Sequence, residues 1–142
     1  MRNLLAIALD WAKRSFGEDQ MKNPGTRALR VVEEAIELCQ SVHVDKALVH
    51  QCVDEMYARE PGDPVQEIGG VLMTIYLFIA SMGWMYGGDS PGFYFAKELR
   101  RVLDKEAKNP GIFAKRNAEK INLPNAGDPT WSPPHSGRSR SD

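Results

Sequence analysis

Three glutamates carry the clearest chemical possibility in this sequence. Glu34 and Glu37 are one helical turn apart, so both carboxylates can point at one spot. Glu67 is the one charge near the start of an apolar run, with Ile68, Val71, Leu72 and Ile75 around it. Carboxylates in apolar surroundings need a compensating charge. A divalent ion with a preference for oxygen supplies one, and Mg²⁺ is commonly held by a few carboxylates together with substrate phosphates. Mn²⁺ shares that preference. Arg27 and Arg30 fall with Glu34 and Glu37 inside an arc of roughly 80° on a helix, within reach of phosphate oxygens. Other readings stay open here. Arg30 and Glu34 have the i,i+4 spacing of an exposed ion pair, and Glu67 could instead favour its own helix N-terminus.

Helices have to position these side chains. Asn3–Phe16 places Leu4, Ile7, Ala8 and Trp11 at helical spacing, and Gly17 ends it. Gly17–Gly25 reads as a loop, and the turn Asn23-Pro24-Gly25-Thr26 delivers Thr26 as N-cap of a helix to His43. That helix has Leu29, Val32, Ile36 and Cys39 on another face, so its polar stripe is expected on a mostly buried helix. A shorter helix spans Asp45–Ala58. Asp63-Pro64-Val65-Gln66 is a strong helix start, with a cap, a proline suited to the first position and a glutamine three residues on. Phe93–Lys108 and Ile112–Ile121 complete the set. No strand alternation appears, so the fold class is all-α, a helical bundle of about four to six helices.

From Ile68 to Tyr86 no residue is charged, a stretch long enough to span a bilayer. It contains Gly69, Gly70, Thr74, Ser81 and Gly83, its nearest charges are acidic, and no Lys/Arg cluster flanks it. The expectation is therefore a fully buried central helix of a soluble bundle rather than a membrane helix. Residues 1–122 form the helical domain, and residues 123–142, rich in Pro, Gly and Ser, read as an extended tail.

Composition narrows the functions. The 142 residues carry 18 Lys+Arg and 19 Asp+Glu, a net charge of −1, which excludes nucleic-acid binding by bulk charge. Cys39 and Cys52 form no CxxC pair and are too few for a disulfide scaffold, which fits a reducing cytoplasm. No P-loop and no nucleophile elbow is present. Positive charge gathers toward the C-terminus: Lys97 to Lys120 holds eight Lys/Arg against four Asp/Glu. Trp11 could stack on a purine or fill the core.

The run VVEEAIEL (residues 31–38) followed by QEIGGVLMT (residues 66–74) resembles the all-α nucleotide pyrophosphohydrolases of the MazG-like superfamily. Their signature is ExxE, a spacer, then ExxD, four acids that bind Mg²⁺. Glu34 and Glu37 match the first half and Glu67 the third acid, whereas Gly70 stands where the aspartate belongs. TRALRVVEEAIEL (residues 26–38) and YAREPGDPVQEIGGVLMT (residues 57–74) look like the dATP/dGTP diphosphohydrolase, MazZ-like branch, where the GG variant is usual and some members are phage-encoded. Asn117-Ala118-Glu119-Lys120 is similar to the family's C-terminal phosphate-contacting element, with Lys115 nearby.

The resemblance implies a specific activity. A purine deoxynucleoside triphosphate, dGTP or dATP, would be hydrolysed to the monophosphate with release of pyrophosphate. Glu34, Glu37 and Glu67 would hold Mg²⁺ or Mn²⁺ and carry the catalysis, with Glu33 or Glu34 orienting a water. Arg27, Arg30, Lys115, Asn117 and Lys120 would meet the phosphates. It also implies a homo-oligomer, dimer or tetramer, in the cytoplasm, and no partnership with nucleic acid or membrane. The alternative is a non-catalytic helical module that binds a nucleotide or a protein, with a membrane-associated helix protein ranked last.

Overall fold

A computed structural model describes residues 3–82 and 91–121. Among them the chain is all-helical, with seven helices and no strand. They are α1 (Leu4–Phe16), α2 (Glu18–Met21), α3 (Pro24–Ser41), α4 (Lys46–Tyr57), α5 (Pro64–Ser81), α6 (Pro91–Lys108) and α7 (Ile112–Ala118). The tail read at 123–142, and residues 83–86 of the uncharged stretch, lie outside the described residues.

Local chemistry sets the ends. Asn3 caps α1 by accepting from the Leu5 amide, Asp45 caps α4 through Ala47, and Asp63 caps α5 through Val65 and Gln66 with Pro64 in the first turn. Gly17 and Gly111 turn the chain at φ of 83° and 82°, values that favour glycine. Among the boundaries that differ from the sequence reading, two have a clear local cause. The stretch read as a loop contains the single turn α2, opened by Gly17 and carrying Glu18 and Asp19 at its positive end. α3 starts earlier than expected, because Asn23 and not Thr26 is the cap: the Asn23 Oδ1 accepts from the Thr26 amide at 2.9 Å. Pro24 then suits the first turn, where its missing N–H costs nothing.

Asn23 is 4 % exposed and Thr26 is fully buried, so this cap cannot be replaced by water. Asn23→Ala is expected to lower stability by about 1–2 kcal/mol, and Asn23→Asp by less. Urea unfolding followed by circular dichroism measures both; equal stability of Asn23→Ala and wild type would contradict the cap's importance.

The core lies where α1, α6 and α7 meet. Ala12, Leu99 and Val102 are buried there. Trp11 packs edge-on to Phe16 and Phe113 at centroid separations of 5.3 and 5.2 Å. α2 links α1 to α3, and α4 packs on α3.

Two burial expectations fail in the single chain. α3 leaves Val32 and Ile36 exposed, so its apolar face is not covered. α5 is exposed along most of its length; its only buried side chain is Ile79. Among the described residues α5 packs appreciably against no other helix. By length and composition it is also the one described helix that could cross a membrane.

Candidate active site

A cavity of about 460 Å³ opens between α1, α3, α6 and α7. That is the size of a small-molecule site. α3 contributes Arg27, Arg30, Glu34 and Glu37, the stripe expected from its helical spacing. α6 adds Glu98 and Arg101, α7 adds Arg116 and Asn117, and Lys120 follows it. Trp11, Phe16 and Phe113 form an aromatic wall. Another hollow, about 620 Å³, lies between α3 and α4. Its lining is mainly apolar, with Lys46, His43 and His50 as its basic residues, so it lacks the clustered guanidinium groups that suit a polyphosphate.

The carboxylates around the first cavity fall into two sets. Glu33 accepts from Arg30 Nη1 at 2.5 Å and from Lys120 Nζ at 2.6 Å. Burial works to raise its pKa, but the bonds from Lys120 and Arg30 outweigh burial and hold it below the usual carboxylate range. Arg30 Nη2 also donates to the Ile121 carbonyl, so this cluster ties the end of the described chain to α3. Glu98 accepts from Arg101 Nε at 2.7 Å, and that pairing lowers its pKa against the effect of burial.

Glu34 and Glu37 differ. Among the described residues neither forms an ion pair or a side-chain hydrogen bond with a cation. Burial, and next the neighbouring Glu37 carboxylate, push Glu34 up; Lys120 only partly offsets this. The pair is thus short of positive charge in a cavity otherwise rich in it.

That imbalance has a sign in stability. A carboxyl raised in the folded state stabilises most when protonated, below its unfolded pKa, and loses that contribution as pH rises through its folded pKa. In metal-free buffer, Glu34→Gln is therefore expected to be more stable than wild type at pH 7, with the difference vanishing near pH 3.5. Thermal unfolding at both pH values with a chelator present measures it. An equal gain at both would contradict a charge-based cause.

Arg27 supplies the opposite imbalance. Its guanidinium lies 5.4 Å from the centre of the Phe16 ring, and Nη1 sits 3.9 Å from Met21 Sδ. Nε and Nη2 are buried without a hydrogen-bond partner among the described residues. Burial, then repulsion from Arg30, lower its pKa. A guanidinium given only soft partners beside a cavity suits an anionic ligand.

The sequence-derived residues divide accordingly. Arg27, Arg30, Glu34, Glu37, Asn117 and Lys120 come together at the cavity. Lys115 is exposed and does not line it; Arg116, its neighbour, does. Glu67 does not line it either. Its carboxylate folds over Gly62 at the foot of α5, in the space that a Cβ there would need. Among the described residues no group of three His, Cys, Asp or Glu side chains is placed to hold a metal ion. Among the described residues a Cβ on Gly69 or Gly70 would meet nothing within 4 Å, so no contact there accounts for that glycine pair.

Glu98, Arg101 and Arg116 were not anticipated as site residues. The i,i+3 pair Glu98/Arg101 and the basic run Lys97–Lys120 were the available signals. Only the packing of α6 and α7 onto α1 shows which side of each helix meets α3. The chain matches no family model, no curated protein and no solved structure.

Proposed function

We propose that this chain is a metal-dependent nucleoside triphosphate pyrophosphohydrolase acting on purine deoxynucleotides, dGTP or dATP, in the cytoplasm. One observation carries the reading: a single cavity pairs cation-poor Glu34 and Glu37 with Arg27, Arg30, Arg101, Arg116 and Lys120 beside an aromatic wall. The motif resemblance supplies the reaction class. The two carboxylates suit Mg²⁺ or Mn²⁺ when triphosphate oxygens complete the donor set. Glu67 is the third acid of that resemblance and lies at the foot of α5, outside the cavity lining.

In this reading Arg27 and Arg30 bind phosphate oxygens, with Lys120 and Asn117 on the other side of the cavity. The Lys115 position is filled functionally by Arg116. Trp11, Phe16 and Phe113 border the base. Bound metal supplies Lewis-acid polarisation of the phosphates. A water attacks the α-phosphorus, the bond to the bridging oxygen breaks, and pyrophosphate leaves from the nucleoside monophosphate. Glu33 is held by Arg30 and Lys120, so Glu34 or Glu37 receives the water proton. The arginines offset charge on the departing pyrophosphate.

The test is a nucleotide panel. Each dNTP and NTP is incubated with the protein and Mg²⁺ or Mn²⁺, and products are separated by anion exchange. Purine monophosphate with equimolar pyrophosphate is expected. Metal-dependent nucleotide binding with no product would instead favour the non-catalytic module, which the position of Glu67 and the glycine at 70 also suit.

A further inference from the structure

α7 is the least self-supporting of the helices that build the cavity. It has 7 residues, too few for a helix to persist by itself in water. Its N-cap is Gly111, which has no side chain to bond the first amides. Yet α7 and the residue two beyond it bring Phe113, Arg116, Asn117 and Lys120 to the cavity. Whatever fixes α7 therefore fixes much of the positive charge there.

Side chains tether it along its length. Phe113 packs edge-on to Trp11. Beyond α7, Lys120 bonds Glu33 of α3. Ahead of α7, Glu106 in the last turn of α6 reaches across the corner, and its Oε1 accepts from the Gly111 amide at 2.7 Å. Gly111 stands at φ 82°, so the corner is built on a residue free to take the left-handed region. The other carboxylate oxygen of Glu106 is buried and has no hydrogen-bond partner among the described residues. Burying an unpartnered oxygen costs stability, a cost that an alanine would escape. Glu106 does not line the cavity, so no ligand contact accounts for it.

We propose that Glu106 is a positioning residue: through the Gly111 amide it sets the α6–α7 corner and so holds Arg116 and Asn117 in place for bound phosphates. This rests on the reading of the cavity as a triphosphate site. With Glu33 at the far end, α7 is clamped at both ends by carboxylates. Glu34 and Glu37 lie on α3, outside that clamp. Loosening the corner therefore weakens binding of the phosphates and leaves the chemical step little changed.

Three measurements on the full chain test this: hydrogen exchange of α7 amides by mass spectrometry, pyrophosphate affinity by calorimetry, and steady-state kinetics with dGTP. In Glu106→Ala the amides of residues 115–118 are expected to exchange ~10-fold faster or more, the scale set by loss of a hydrogen bond to a charged group. Exchange in α1 and α3 should stay at the wild-type rate. Pyrophosphate affinity should fall and KM rise by a similar factor, with kcat within about twofold of wild type. Glu106→Gln keeps the acceptor and is expected to restore all three.

Unaltered α7 exchange in Glu106→Ala overturns the proposal. So does faster α7 exchange with wild-type pyrophosphate affinity, or faster exchange that spreads into α1 and α3, the mark of a general structural role. A fall in kcat at unchanged KM, or a glutamine variant no better than alanine, also overturns it. A wild type that binds pyrophosphate but hydrolyses no nucleotide defeats the proposed function and leaves the clamp standing, because exchange and pyrophosphate affinity are read without turnover. A wild type that binds no pyrophosphate overturns both.

Discussion

Glu37→Gln is expected to reduce metal-dependent release of monophosphate from dGTP or dATP by at least ~100-fold. The substitution keeps the size of the side chain and removes its charge. Glu37 is exposed at the cavity edge and has no cation partner among the described residues, so the fold should not depend on its carboxylate. The loss should appear in kcat/KM, with helix content unchanged and with higher Mn²⁺ concentrations restoring part of it. Glu33→Gln is the informative contrast. It breaks the pairing with Arg30 and Lys120, so it should weaken the anchoring of the chain end to α3 and raise KM more than it lowers kcat. Steady-state kinetics over a metal series distinguish the two. Equal, metal-independent losses in both variants would contradict separate roles.

Arg27→Met is expected to raise KM for the triphosphate by ~10-fold or more without destabilising the protein. The magnitude follows from a charged hydrogen bond worth about 1.5–3 kcal/mol. The direction in stability follows from the surroundings of Arg27. Its charge lies against Phe16 and Met21, burial lowers its pKa, and Arg30 repels it. A methionine fills the same channel without that cost, so unfolding should occur at the same temperature or slightly higher. A lower melting temperature with unchanged KM would mean that Arg27 serves the fold and not the ligand. Arg27→Lys should recover only part of the affinity, since a point charge lacks the planar fork.

Much of the local structure was legible from residue types. The caps at Asp45 and Asp63, the proline at the start of α5 and the end of α1 at Gly17 follow from short-range chemistry. The α3 stripe of Arg27, Arg30, Glu34 and Glu37 follows from helical period alone, and the cavity contains all four. What was not legible depends on how helices meet. Helical spacing offered Arg30 a partner at Glu34; in the structure Arg30 pairs with Glu33, which Lys120 joins from far along the chain. Glu98 and Arg116 enter the cavity through the docking of α6 and α7 on α1. Apolar content predicted a buried α5, but burial needs a neighbour, and the described residues do not provide one. Helical periodicity states which face is apolar; it does not state which molecule covers it.

The central claim is that Glu34 and Glu37 hold a divalent ion together with a purine deoxynucleoside triphosphate. Its most direct test is an Mn²⁺ titration followed by electron paramagnetic resonance, with the α,β-methylene analogue of dGTP present to prevent turnover. Wild type should bind Mn²⁺ at least ~10-fold more tightly than Glu34→Gln or Glu37→Gln, and the difference should shrink when the nucleotide is left out. Identical Mn²⁺ binding by all three proteins with the nucleotide bound would contradict the account.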